Sequence, residues 1–217
     1  MPAAQASPKG QRTAGRKAGR KVSTARKDEI IDAAERVFAS KPFPRVSMRD
    51  IAREAGISPA LIYRHFADQQ HLFLEAFFRG AERLMGRIDE LFKVHPESGL
   101  EDASAAFISF LAENEHYFKM MTHFMLEGTV HEGLLERLNS IERSVLDRFD
   151  ELFRKAGAVG DVRILSHCFF ASLNGILITF RRHPGRTKEE VVSHMHRLGI
   201  TLARLFAHAL RTANVGP

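Results

Sequence analysis

The sequence has few of the features that cross-linking or membrane insertion requires. Its single cysteine, Cys168, excludes an internal disulfide and is typical of a protein in a reducing cytoplasm. Its apolar surroundings favour a buried thiol. The longest apolar stretch, residues 168 to 180, is interrupted by Ser172, Asn174 and Gly175 and is too short to cross a bilayer. The N-terminus also lacks the apolar segment of a signal peptide. We therefore expect a cytoplasmic protein without a membrane partner.

Motifs of catalysis and of metal binding are absent as well. The sequence contains no Walker A loop, no GxGxxG, no GxSxG and no CxxC pair. None of the 11 histidines is followed by another at the fourth position, the spacing that places two metal ligands on one helix face. His194 and His196 are two residues apart and diverge around a helix. We predict no metal, no cofactor and no enzymatic activity.

Acidic side chains are missing from residues 1 to 27, which hold eight lysines and arginines. The remaining 190 residues carry 24 basic and 26 acidic side chains, so the net charge of +6 originates in this segment. Residues 1 to 23 consist mainly of Ala, Gly, Ser, Pro and basic residues, with little to bury. Such a composition predicts a disordered basic arm.

The rest of the chain has apolar residues at helical spacing. Ile30, Ile31, Ala34, Val37 and Phe38 form one stripe, which predicts a first helix over roughly 24 to 40. Similar periodicity over 68 to 94, 100 to 114, 116 to 127, 131 to 156, 161 to 182 and 187 to 212 predicts further helices. No region alternates as a strand would. We predict an all-α fold of about nine helices, with a head of three helices over 24 to 67 and a helical C-terminal domain over 68 to 217.

Two short helices are predicted inside the head. Ser47 and Asp50 have the spacing of a capping box for one helix, which ends near Ala55. Gly56 can take the positive φ that ends this helix, and the Ser-Pro pair at 58 and 59 can start the next. Two helices joined by a short turn with glycine form a helix-turn-helix, whose second helix enters the major groove of DNA.

The second of these helices has outward-facing residues that suit contact with DNA. By helical geometry Ile62 and Phe66 lie on its inner face, Leu61 lies at the boundary, and Ala60, Tyr63 and Arg64 point outward. Ala60 allows close approach or contact with a thymine methyl, and Arg64 can donate twice to guanine. Tyr63 and His65 can bond phosphates.

The sequence resembles the TetR family of transcriptional regulators through the runs EIIDAAERVFA and SMRDIAREAGISPALIYRHFADQQHLF, within roughly residues 25 to 75. The resemblance implies a three-helix DNA-binding head, a fourth helix leading into a ligand-binding domain, and a homodimer on a near-palindromic operator. Carried over by position, Arg49 contacts a base or a phosphate. The predicted DNA contacts are Ser47, Arg49, Ser58, Ala60, Leu61, Tyr63, Arg64 and His65.

Three residues depart from the family's pattern. Pro42 stands where the family usually has glycine, Leu61 where a Thr or Ser often contacts DNA, and Gln69 where a lysine commonly binds phosphate. The loss of that lysine gives the basic arm a possible role along the phosphates or in the minor groove. A purely solubilising arm is the equal alternative.

Two regions of the C-terminal domain carry candidate sites. FISFLAENEHYFKMMTHFM, residues 107 to 125, is either core or an adaptable apolar pocket, and the candidate pocket residues are Phe107, Phe110, Tyr117, Met121, Phe124, Met125, Asn174 and Thr179. A strip of small residues in the eighth helix and apolar residues in the ninth are either ordinary packing or, as the resemblance implies, a four-helix dimer interface. The candidates there are Cys168, Ala171, Gly175, Leu198, Leu202 and Leu205.

The expected function is that of a ligand-responsive regulator that binds operator DNA as a homodimer and leaves it when a small apolar or amphipathic molecule binds. We expect a repressor. One alternative is a DNA-binding protein without a ligand or much sequence preference. The other is a small-molecule binding protein or enzyme with a vestigial head, which the missing catalytic motifs disfavour.

Overall fold

The computed structural model describes residues 11 to 127 and 132 to 214. The side chains of residues 11 to 24, 124, 127, 132 to 134 and 213 to 214 lie outside this description. The described chain is entirely helical, as predicted: α1 (Gln11–Ser40), a 3₁₀ turn (Phe43–Arg45), α2 (Met48–Glu54), α3 (Pro59–Tyr63), α4 (Gln69–Val94), α5 (Leu100–Glu113), α6 (Glu115–Glu127), α7 (Glu132–Lys155), α8 (Val162–Phe180) and α9 (Lys188–Asn214).

The first helix begins earlier than predicted. Its backbone is helical from Gln11, whereas the composition favoured disorder up to residue 23 and a start near 24. Ala, Arg, Lys and Gln are good helix formers, and extending an existing helix avoids the cost of nucleating one. In the structure the predicted basic arm therefore has helical backbone from Gln11, its disorder in solution stays a prediction, and residues 1 to 10 lie outside the described chain.

The chain forms two compact units, an N-terminal unit that ends at Ala76 and a C-terminal unit that begins at Phe77. The division falls within α4, whereas the sequence suggested a boundary at residue 67. The N-terminal unit is built on the predicted stripe of α1, whose side chains Ile30, Ile31, Ala34, Val37 and Phe38 are all buried. Phe38 packs edge-on against Phe73 of α4 with ring centroids 4.9 Å apart.

The predicted capping box of α2 is present in the N-terminal unit. The Ser47 hydroxyl accepts from the Asp50 N–H, and the Asp50 carboxylate accepts from the Ser47 N–H at 2.9 Å. Asp50 also lies 2.7 Å from the ammonium of Lys41, which with the Ser47 hydroxyl holds the pKa of this carboxyl well below its usual range. The box therefore satisfies two backbone donors at the start of α2.

Ser47→Ala is expected to lower the free energy of unfolding by about 1 kcal/mol, the usual cost of losing a capping hydroxyl. Ser58→Ala is the matched control, because Ser58 precedes α3 without a side-chain capping hydrogen bond. Its effect should stay within about 0.5 kcal/mol. Urea denaturation of both variants measures the difference, and equal losses would contradict this assignment of the caps.

The C-terminal unit is a bundle of α5 to α9 with the later part of α4. Rings from two helices meet in its core: Phe149 and Phe153 of α7 lie against Phe169 of α8 at centroid distances of 5.3 and 5.7 Å. The buried carboxylate of Asp150 accepts from the Ser166 hydroxyl at 2.6 Å and pairs with Arg163 at 2.9 Å. These polar contacts fix α7 to α8 beside the aromatic core.

Candidate nucleic-acid interface and ligand cavity

The turn between α2 and α3 has the predicted local chemistry. Gly56 has a φ of +65°, the left-handed conformation that glycine adopts readily. The N–H of Ile57 donates to the carbonyl of Ala52 at 3.0 Å and ends α2. Pro59 then occupies the first turn of α3, where its missing N–H has no cost. This turn sets the position at which α3 begins.

α3 presents the predicted faces. Ile62 and Phe66 are buried, and Ala60, Tyr63 and Arg64 are exposed, with 57% of Tyr63 accessible. Leu61 and His65 are half-buried at the boundary. The regular helix ends at Tyr63, although Phe66 was predicted to lie on it. The N–H of Phe66 still donates to the carbonyl of Ile62 at 2.9 Å. Arg64 and His65 thus follow in the same turn.

The remaining predicted DNA contacts, Ser47, Arg49 and Ser58, are also exposed. The Ser47 hydroxyl is occupied by the Asp50 carboxylate at 2.7 Å, so its first role is structural. The Ser58 hydroxyl makes no capping hydrogen bond. These three residues lie at or near the starts of α2 and α3, where backbone N–H groups favour a phosphate.

The cations of the N-terminal unit divide into two groups. Most are paired with carboxylates: Lys27 with Glu75, Arg36 with Glu54, and Lys41 and Arg53 with Asp50. Among described side chains, Arg45, Arg49 and Arg64 form no ion pair. The sequence analysis did not single out Arg45, because nothing in a three-residue 3₁₀ turn distinguishes it before the paired cations are known. Unpaired, exposed guanidinium groups are the ones available to phosphates or base edges.

Gln69 has a structural contact in place of the lysine expected from the family pattern. Its side-chain amide donates to the carbonyl of Phe43 at 3.1 Å and so joins the start of α4 to the 3₁₀ turn. The preceding Asp68 caps α4 by accepting from the N–H of His71 at 2.8 Å. Gln69 thus helps to hold the turn that carries Arg45.

A cavity of about 280 Å³ lies in the C-terminal unit. Its walls come from α4, α5, α6, α7 and α8 and are mainly apolar. Its lining residues are Phe77, Leu84, Phe107, Tyr117, Met121, Met125, Leu138, Ile141, Glu142, Val145 and Phe170. The size is near the lower limit of small-molecule pockets.

Half of the predicted pocket residues line this cavity, namely Phe107, Tyr117, Met121 and Met125. Phe110 is buried beside the cavity, its ring 5.7 Å from that of Tyr117. The side chain of Phe124 lies outside the described residues. Asn174 is buried and donates to the Phe170 carbonyl at 2.8 Å, and Thr179 is exposed on α8. Asn174 and Thr179 are thus not among the residues that line this cavity, and their part in ligand binding stays a prediction.

Tyr117 connects the cavity wall to α4. Its ring stacks on Phe77 with centroids 5.3 Å apart, and burial raises the pKa of its phenol. The ring also lies directly against Gly80, where an added Cβ would overlap it. Glycine at this point of α4 permits the close approach, so the Tyr117 ring packs directly against the α4 backbone.

An apolar strip on the outside of α8 contains the predicted dimer residues. Cys168, Ala171 and Gly175 are all exposed, and Ile164 and Ile178 extend the strip with 55% and 51% of their surface accessible. In the single chain the Cys168 thiol is exposed and not buried as expected, because Ser166, Phe169 and Leu173 turn inward from α8. On α9, Leu198 and Leu202 are half-buried and Leu205 is 62% exposed. Contiguous exposed apolar surface of this kind marks an interaction site.

By length and composition α8 (Val162–Phe180) is apolar enough to cross a membrane, and a third of its apolar stretch is buried in the structure. A core helix of a soluble protein can have the same length and composition. Within residues 11 to 127 and 132 to 214, no cluster of three or more His, Cys, Asp or Glu side chains could hold a metal ion.

The N-terminal unit is similar in sequence to known bacterial regulators. The family model described as bacterial regulatory proteins, tetR family, matches residues 30–76. An HTH-type transcriptional regulator of Haemophilus influenzae is 46% identical over 63 residues, which are 29% of this chain and 30% of that protein. The HTH-type transcriptional activator FasR of Mycolicibacterium smegmatis is 25% identical over 108 residues, 49% of each chain. The matches thus span less than half the length of these relatives.

Solved structures show the same fold over most of the chain. The transcriptional regulator FadR of Bacillus subtilis, solved in complex with stearoyl-CoA, superposes with a TM-score of 0.65 at 20% sequence identity and covers 81% of this chain and 96% of its own. At this identity the likeness concerns the fold. Residues 30–76 thus match the helix-turn-helix domain of the tetR family of bacterial regulatory proteins, and the chain shares the all-helical fold of the solved regulator FadR.

Proposed function

We propose that this protein is a cytoplasmic homodimeric regulator that releases a palindromic operator when a small molecule binds, and that it acts as a repressor. The observation that carries the proposal is the outward face of α3. Ala60, Tyr63 and Arg64 are exposed there, on a helix that the buried Ile62 and Phe66 fix to the unit. A small residue, an aromatic hydroxyl and an unpaired guanidinium suit the major groove.

The proposed contacts divide by role. Arg64 donates to a guanine, and Ala60 allows the helix to approach the base edges. Tyr63, His65 and the unpaired Arg49 meet phosphates and fix the register. A helix as short as α3 reads only a few base pairs, so specificity needs two copies about one DNA turn apart.

The second copy comes from dimerisation through α8 and α9. The strip of Ile164, Cys168, Ala171, Gly175 and Ile178 is apolar, exposed and poor in bulky side chains near its centre. Small residues let the backbones of two helices approach closely, and covering the strip removes its apolar surface from water. Symmetric pairing of the same strip supplies that cover.

The ligand site is the 280 Å³ cavity, and Tyr117 is the connection to the DNA-binding head. A ligand that displaces Tyr117 from Gly80 favours another position of α4, which runs from the N-terminal unit into the C-terminal one. The response is a population shift, with a coupling free energy of about 1–3 kcal/mol as is typical of allosteric proteins. The apolar walls favour an apolar or amphipathic ligand, in line with the stearoyl-CoA bound by the FadR relative.

A non-specific DNA-binding protein is the second candidate, and the eight basic residues within residues 1 to 27 favour it. Selection of bound duplexes from a random library with the full chain at about 0.15 M salt separates the two, because screening weakens non-specific contacts. An enriched palindrome supports the regulator. Binding without enrichment rejects it in favour of the second candidate, and no binding to any duplex rejects both.

Met121→Trp is expected to fill the cavity and to weaken binding of the neutral fluorescent probe N-phenyl-1-naphthylamine at least about tenfold, since the probe and the indole compete for the same apolar space. Leu126→Trp is the matched control, because Leu126 is 79% exposed on the same helix and does not line the cavity. Fluorescence titration measures both affinities. Equal probe affinity in the two variants would show that the probe binds elsewhere.

A further inference from the structure

A second pocket, of about 210 Å³, lies in the C-terminal unit between the start of α6, the end of α8 and the first turns of α9. It shares no lining residue with the apolar cavity. Its lining residues are Ala112, Glu115, Arg181, Arg182, Lys188, Val191, Val192 and Met195. Three of these eight side chains are cations, whereas Glu142 is the only charged residue among the described side chains that line the apolar cavity.

Arg181 is the central cation of this pocket. It is half-buried, donates to the carbonyl of Leu111 at 2.8 Å and lies over the ring of Phe118, 4.2 Å from its centroid. No described carboxylate lies within 4.0 Å of its guanidinium. Burial lowers the pKa of Arg181. The charge of Glu115 raises this pKa, and the charge of Arg182 lowers it. The guanidinium is thus held in place and partly desolvated without a direct ion pair, although buried charges are normally paired.

The neighbouring charges do not balance this cation. Arg182 lies 3.5 Å from Glu115, which is also 3.5 Å from Lys119 outside the pocket. Burial raises the pKa of Glu115, but Lys119, Arg181 and Arg182 outweigh it and lower the pKa, so the carboxylate is ionised. Lys188 is exposed and has no ion-pair partner among described side chains. Three cations therefore face one carboxylate, and an added anion would relieve their repulsion.

The other part of the pocket is apolar. Val191 and Met195 are buried in α9 and, with Ala112 and Val192, form a hydrocarbon wall beside the cations. We infer that this pocket binds a small organic oxyanion, a phosphate monoester or carboxylate with a short apolar body, at a site separate from the apolar cavity. The oxyanion meets Arg181, Arg182 and Lys188, and the body lies against the valines and Met195.

Calorimetric titration of the full chain with butyl phosphate, inorganic phosphate and butanol tests this inference. Butyl phosphate is expected to bind several-fold more tightly than inorganic phosphate, because only its body covers the apolar wall. Butanol is expected to leave this pocket unoccupied. Arg182→Gln with Lys188→Gln should weaken butyl phosphate about tenfold, since each exposed charge pair contributes a factor of roughly two to five.

Lys93→Gln with Arg143→Gln is the matched control, because both side chains are exposed cations of the same unit outside the pocket. It should weaken butyl phosphate no more than about twofold. Equal weakening by the two double variants, or none by Arg182→Gln with Lys188→Gln, would overturn the inference. The Met195 methyl resonance of the unaltered chain gives a second readout, and it should shift with butyl phosphate but not with butanol. These results are independent of DNA binding and of N-phenyl-1-naphthylamine binding in the cavity.

Discussion

Arg64→Ala is expected to weaken operator binding by roughly 30-fold or more. Loss of one arginine that binds a guanine costs about 1–3 kcal/mol, and a homodimer loses two such contacts on one duplex. The exposed position of Arg64 means that its removal leaves the core of the N-terminal unit intact. The selected palindrome should also lose its preference at one symmetric pair of positions. Fluorescence anisotropy and a repeated selection measure the two effects.

Arg53→Ala is the control for charge alone. Arg53 is also an exposed arginine of the N-terminal unit, but its guanidinium is paired with Asp50 at 2.8 Å and it is not among the predicted base contacts. Its loss should weaken all duplexes by a similar small factor, as expected for a non-specific contribution. If Arg64→Ala behaved in the same way, with an unchanged sequence preference, the guanine contact would be rejected.

Gly175→Arg is expected to yield a monomer at micromolar concentration and to weaken operator binding at least about 100-fold. A Cβ at Gly175 meets no atom within 4 Å, so the folded chain accommodates the side chain. In a dimer formed through the exposed strip of α8, the same side chain would place two like charges in an apolar interface. Sedimentation velocity measures the assembly, and anisotropy measures the operator affinity.

Ser193→Arg provides the matched control for this substitution. Ser193 is exposed on α9, on a different face of the helix from Leu198, Leu202 and Leu205. It should leave both the dimer and the operator affinity unchanged. A Gly175→Arg variant that stays dimeric would place the interface elsewhere on the chain.

The helices of this fold were predictable because their signals are local. Apart from the start of α1, periodicity and capping signals gave the bounds of the nine described helices to within a few residues, and Ser47, Asp50 and Gly56 determine the turn chemistry of the head. The start of α1 was missed, because composition outweighed the tendency of an existing helix to extend through residues 11 to 23. Local rules thus predict where a helix forms better than where it ends.

The cavity was only partly predictable, because space between helices depends on several distant segments. The Met- and Phe-rich run pointed to Phe107, Tyr117, Met121 and Met125, but it gave no indication of Phe77 on α4 or Phe170 on α8. Periodicity identifies a buried face without telling which buried side chains meet and which leave a gap.

The second pocket, which is lined by Arg181, Arg182 and Lys188, could not be predicted from sequence at all. Arg181 follows α8 and donates to the Leu111 carbonyl, 70 residues away along the chain. In the sequence its neighbour Arg182 and the later Lys188 look like ordinary solvated charges around a loop. Only the packed structure shows that Arg181 is half-buried and lacks a direct carboxylate partner among described residues.

The most direct test of this account is a comparison of two duplexes, the selected palindrome and the same duplex with one half-site scrambled. Sedimentation and anisotropy at about 0.15 M salt give the stoichiometry and the affinity. If two protomers each insert α3 into one half-site, two chains bind the palindrome and scrambling one half weakens binding by at least about 100-fold. Equal affinity for both duplexes, or one chain per palindrome at saturation, would contradict the proposal that two protomers bind the two half-sites together.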